Sequence, residues 1–228
     1  ERIRSIEKGL DLLSELIEIR VRQLQDGKSG SKKLAALRKK IGGLEILDDR
    51  ELSYPEVVTL LLAIAPNIQP DLLDRAFTEA MDSAGDYPEI GGVRGRSFRG
   101  FLPTVQTVLF LLDVRTIAER IEAMKLFGDE HFFSAQDLLT VWHQDRREPI
   151  VSGQLHVSED LLAYLTTGVP ATPRFSMDFP AQRLVTERNW EDLVLRQETR
   201  AGLEHIKLWL QGRNRVLDDW GMSRIFRP

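Results

Sequence analysis

FFSAQDLLTVW (Phe132–Trp142) and HVSEDLLAYL (His156–Leu165) follow one plan: two bulky residues, a serine, an acidic residue, then a Leu-Leu pair. Each serine is placed to cap a helix, because its hydroxyl can accept one of the orphan N–H groups of a first turn. The bulky pairs Phe132-Phe133 and His156-Val157 are candidates for short strands, and for pairing with each other. Between the two copies lies DRREPIVSGQLHV (Asp145–Val157), a charged segment with the look of a wing. Helices followed by a small ribbon predict a mainly α fold with a winged-helix-like part and a short β-pair. The plainer alternative is a helical bundle with a minor β-pair.

Upstream, the helices announce themselves. In ELSYPEVVTLLLAIAP, Ser53 is a cap, Glu56 holds the capping-box position and Pro55 falls in the first turn. Pro66 marks the end. Further helices are predicted from about Asp71, from Pro103-Thr104 and over Thr116–Phe127, the last carrying Ile117, Ile121 and Met124. At the N-terminus, Ile3, Leu10, Ile17 and Leu24 recur every seven residues, with Ile6 and Leu13 in a second seam that Arg20 interrupts. The pattern predicts one long helix with a coiled-coil-like stripe. It either lies on its own domain or joins a second copy, which makes Ile3, Leu10, Ile17 and Leu24 the candidate oligomerisation residues. QDGKSGSKK ends the helix, and Lys28, Lys32, Lys33, Arg38, Lys39 and Lys40 give this connector a solvated basic character.

The 228 residues carry a formal net charge of −4 and no cysteine. The balance gives no global attraction to nucleic acid or an anionic membrane. Without cysteine there is no disulfide, thiolate zinc site or thiol nucleophile. No apolar run approaches the roughly 20 residues of a membrane span, and a cytoplasmic location is expected. His131, His143, His156 and His205 show no metal-ligand spacing, so neither a metal nor a catalytic centre is expected. The chain opens on Glu1, which suggests that a segment has been removed.

GGVRGRSFRGFLPT (Gly91–Thr104) tests the remaining chemistry. Gly95 and Gly100 have the glycine separation of a Walker A loop, but Phe101 and Leu102 stand where Lys and Ser/Thr must be. Arg94, Arg96, Arg99 and Phe98 are residue types that hold nucleic acid, yet three phosphate contacts give a salt slope of only about −2 to −3. Nucleic acid is therefore the weaker expectation. Two others stay open: a structural loop whose arginines pair with acids, and a docking loop for a protein partner, with Arg94, Arg96, Phe98 and Arg99 as its contacts.

Beyond Gly168 the texture changes. GVPATPRFSMDFPA is proline-rich and reads as an extended strap. A last helix carries Thr199, Leu203, Ile206 and Leu210, with Gly212 past its end. The segment NWEDLVLRQETRAGLEHIKLWLQGRNRVLDDWGMSRIFRP (Asn189–Pro228) resembles the leading segment of AAA ATPase modules. Trp190, Asp192 and Leu193 match its W-x-D-L element, and WGMSRIFRP matches the approach to the first core strand. RGFLPT, TVLFLL, FSAQDLL, LHVSEDLLAYLTTG and FPAQRLVTERNWEDLVL, in that order, look similar to the branch that accompanies phage-tail-like contractile injection systems, of the antifeeding-prophage and Photorhabdus virulence-cassette type.

The resemblance implies an N-terminal region that stops before the Walker A motif. ATP and Mg²⁺ would belong to the parent ATPase, and this chain would be non-catalytic. It also implies that Asp192, Leu193 and Val194 lie on the adenine side of that nucleotide site, although Trp190 and Leu193 serve equally as anchors of the strap. The expected partners are an injection-system protein, the parent's own AAA core and a second copy of the chain. The expected organisation is a long helix and basic linker (1–47), a helical, winged-helix-like domain (48–168), and the strap with the leading ATPase segment (169–228).

Overall fold

Every residue from Val57 to Ala65 is buried, so α3 (Tyr54–Ile68) is the central helix on which the others are laid. The computed structural model describes residues 2–26, 32–47, 50–80, 87–143, 145, 147–169 and 194–214, in two units, Glu1–Thr172 and Pro173–Pro228. In the first, α1 (Arg2–Asp26) buries Ile6, Leu10, Leu13, Leu16, Ile17 and Val21. It packs along α2 (Lys32–Gly42), α3 and α4 (Leu72–Ala80). A fully buried side chain of this kind contributes about 1.5–3 kcal/mol. Residues 1–47 and 48–168, distinct in sequence texture, share this one core.

The long-helix stripe is thereby corrected as an oligomerisation seam. Leu10 and Ile17, its two middle positions, are spent inside the chain's own core, Ile17 at 0% exposure. Only the outer positions, Ile3 and Leu24, reach the surface. Arg20, the residue that interrupts the seam, has its own role. Its guanidinium donates to the Phe110 carbonyl at 3.1 and 3.0 Å and pairs with Asp113 at 3.0 Å. Arg38 and Arg115 reach the same carboxylate at 3.4 and 3.0 Å. Asp113 itself sits at φ +60°, closing the helix before it in a left-handed turn that aspartate tolerates better than most side chains.

The strands begin with a hairpin, β1 (Val93–Arg94) against β2 (Phe101–Leu102). Then come α5 (Val105–Leu111), α6 (Ile117–Met124) and the four-residue α7 (Phe132–Ala135). β3 (Leu139–Trp142) pairs antiparallel with β4 (Gln154–Val157), Leu139 opposite Val157 and Trp142 opposite Gln154. α8 (Glu159–Thr167) follows, and in the second unit α9 (Gln197–Asn214). The fold is mainly α with short antiparallel strand pairs. Among the described residues, no helix is long and apolar enough to cross a membrane.

One copy of the Ser-Leu-Leu plan folds as expected. Ser158 accepts from the Leu161 N–H at 3.2 Å and caps α8. The other copy does not. Phe132-Phe133 is helical, and the cap of α7 is His131, whose Nδ1 accepts from the Phe133 N–H at 3.3 Å. Asp137, at φ +51°, then turns the chain out of helix. Leu139 points inward, Thr140 outward and Trp142 outward, the two-residue period of a strand. His156-Val157 is therefore a strand whose partner is Leu139-Thr140, not Phe132-Phe133.

Thr104 joins the two ribbons. It bridges to Gln154, Leu155 N–H donates to the Pro103 carbonyl at 2.9 Å, and Val105 N–H donates to the Gly153 carbonyl at 3.0 Å. An extended edge, three helices, then a ribbon whose second strand returns to that edge: the described residues that join β3 to β4 (143, 145 and 147–153) form the wing segment.

Candidate functional site: the arginine hairpin and the wing

The hairpin is held at both ends. Gly91 and Gly92 have φ of +71° and +91°, and a Cβ on Gly92 would lie 2.2 Å from the Phe101 ring. Only glycine combines that backbone with that approach. Gly92 N–H donates to Thr104 Oγ1 at 3.1 Å. The Phe101 ring stacks on Phe77 of α4, with centroids 4.5 Å apart and planes at 27°. Asp74, also on α4, accepts from the Phe101 N–H at 2.8 Å through one oxygen and pairs with Arg94 through the other. Arg94 also donates to the Arg99 carbonyl at 2.7 Å.

The arginines therefore divide. Arg94 ties the loop to α4 through Asp74, with its side chain still 56% exposed. Arg96 and Arg99 are exposed and form no ion pair among the described residues. Phe98 is half-buried, its ring close over Gly100. The sequence left structural and docking roles open; Arg94 has a structural partner, and Arg96 and Arg99 are exposed.

The wing faces the hairpin across a cavity of about 730 Å³. Val93, Arg94 and Arg96 line one side, and Trp142, Asp145 and Glu148 another. Trp142 is 56% exposed. Internal hydrogen bonds set the wing: Arg147 N–H to Asp145 Oδ1 at 2.9 Å, Ser152 Oγ–H to Glu148 Oε2 at 3.0 Å, and His143 Nε2 with the Ile150 carbonyl at 3.1 Å. Trp142, Asp145 and Glu148 were missed in the sequence. The available signal was the alternation Leu139-Thr140-Val141-Trp142, which puts the tryptophan on the outer face once the segment is read as a strand.

Two more features shape the surface. α6 has no fully buried side chain, although Ala123 and Met124 pack half-buried against the core, and Ile117 is 80% exposed. Ile121, Glu119 and Glu122 are exposed with it. Nearer the core, His131 pairs with Glu56 at 3.2 Å, joining α7 to the start of α3. Ser53 N–H donates to the other Glu56 oxygen at 2.6 Å. Burial works to raise the Glu56 carboxyl, but hydrogen bonds from Ser53 and His131 outweigh it and hold it below the ordinary value. For Asp113, burial likewise pushes upward. The hydrogen bond from Arg115 and the charges of Arg20, Arg115 and Arg38 prevail and lower it.

Of the residues expected beside adenine, Asp192 and Leu193 lie outside the described residues, and Val194 is fully exposed. That leaves no nucleotide cradle to build from described side chains. Among the described residues, no group of three or more acids and histidines is placed to hold a metal ion. Comparisons with protein-family models, curated proteins and solved structures find no match for this chain.

Proposed function

We propose that the chain is a non-catalytic partner-recognition or positioning domain of an AAA ATPase that serves assembly or remodelling of a contractile injection system. The ATPase part of this reading stands on the resemblance of Asn189–Pro228. The recognition part stands on one structural observation: the hairpin is fixed from behind by Asp74, Phe77 and Thr104 while Arg96 and Arg99 point free. Ordering a loop in advance removes the entropy that binding would otherwise cost. Exposed arginine forks beside an exposed tryptophan are the residue types that dominate protein interfaces. An acidic surface on an injection-system protein is the natural ligand for the hairpin.

The order of helices followed by a ribbon supports a second reading, a winged-helix nucleic-acid-binding module. The chemistry of α6 argues against it. A helix that reads a major groove offers Arg, Lys, Asn or Gln to base edges, whereas the exposed face of α6 offers Ile117, Ile121, Glu119 and Glu122, and its one arginine, Arg120, is half-buried and donates to Gln106 Oε1 at 2.6 Å. The two readings separate by salt. Purified sheath, tube and effector proteins of the system are titrated against the chain beside a DNA duplex. Partner binding that survives moderate salt supports the first reading, and duplex binding that falls steeply with salt supports the second.

A further inference from the structure

The cavity between hairpin and wing carries charges of both signs that do not close on one another. Arg96 stands on the hairpin side, Asp145 and Glu148 on the wing side, and no ion pair joins them among the described residues. Arg94, the other cation of the lining, is already neutralised by Asp74. The two carboxylates share the cavity with the exposed face of Trp142. An aromatic face attracts a cation, guanidinium above all, and flanking carboxylates strengthen that preference. The volume, about 730 Å³, falls within the range of ligand sites.

We infer that this cavity captures an extended peptide segment of a protein partner, with an arginine or lysine side chain between Trp142, Asp145 and Glu148 and an acidic side chain a few residues away on Arg96. The inference rests on the docking reading above and sharpens it. The partner surface is dipolar at this point, not simply acidic. The wing supplies the half of the recognition that the hairpin lacks.

The test uses the whole chain and the probe peptide Ac-Arg-Gly-Gly-Glu-NH2, followed by the NMR signal of the Trp142 indole N–H, assigned by its loss in Trp142→Phe. The expected result is a saturable shift. Replacing the peptide arginine by citrulline, its neutral isostere, weakens binding at least about fivefold. The double variant Asp145→Asn, Glu148→Gln does the same. Both amides keep an oxygen for the Arg147 N–H and the Ser152 hydroxyl, so the wing stays built while its charge goes. Arg96→Gln weakens the glutamate peptide but not Ac-Arg-Gly-Gly-Gln-NH2. Equal binding of the arginine and citrulline peptides, or no shift at Trp142 with the peptide in large excess, overturns the inference. If that happens while Arg96→Ala with Arg99→Ala still loses an injection-system protein, only the dipolar cavity falls. If neither arm responds, the docking reading falls with it.

Discussion

α1 and α6 look alike in sequence and end in opposite circumstances. Both carry isoleucines at helical spacing on one side and charges elsewhere. α1 sinks its stripe against α3, α4 and α5, whereas α6 buries no side chain fully and sets only Ala123 and Met124, half-buried, against the core. A hydrophobic period identifies the face of a helix but not what covers it. The covering is decided by α3, whose unbroken run of buried residues offers α1 a long apolar surface. α6 touches α5 and the 3-10 turn that follows it, and its isoleucines remain on the surface.

The sharpest way to break this comparison is to put the same charge on both stripes. Ile17→Asp places a carboxylate in a fully buried site and is expected to cost about 4 kcal/mol or more, read by denaturant melting. A small effect there would mean that α1 does not lie in its own core. Asp113→Asn comes next, at about 2–3 kcal/mol, because it leaves Arg20, with 11% side-chain exposure, without its counter-charge. Asparagine tolerates the left-handed turn, so the change isolates the charge.

The same carboxyl predicts a pH dependence. The pKa values of Asp113 and Glu56 are lowered in the folded chain. Their stabilisation is therefore complete above the ordinary carboxylate range and is lost as pH falls through their folded-state values. Melting temperature is expected to fall on acidification below about pH 4, and less steeply in Asp113→Asn. An equally steep fall in the variant would remove Asp113 from the account.

Asp74→Ala is expected to cost about 1–2 kcal/mol and to speed hydrogen exchange at Phe101 ahead of the core. Unchanged exchange there would show that the hairpin is not held from α4. Ile117→Asp completes the series at within about 0.5 kcal/mol, the ordinary effect at an exposed position. A large loss of stability would show that the Ile117 face of α6 is packed after all.

Much of the helical plan was legible because its signals are local. The capping box at Ser53-Glu56 and the cap at Ser158 each lie within a few residues of the helix that they begin. The failure at Leu138-Leu139 has a local cause of a different kind. A leucine pair suits helix or buried strand equally, and the left-handed Asp137 that decides between them leaves no distinct mark in a single sequence. The division of the arginines was illegible for a different reason. Arg94 has a structural partner only because Asp74, twenty residues earlier, folds back beneath it. The cavity is less local still, since Pro103-Thr104 must first bring hairpin and wing together.

The central claim is that the hairpin is built from behind and presents Arg96 and Arg99 for binding. Arg96→Ala combined with Arg99→Ala tests it most directly, with melting and affinity for the purified injection-system proteins measured on the same sample. The account predicts a melting temperature within error of the unmodified chain and an affinity at least about fivefold lower. Loss of the fold, or undiminished binding by a well-folded double variant, would contradict it.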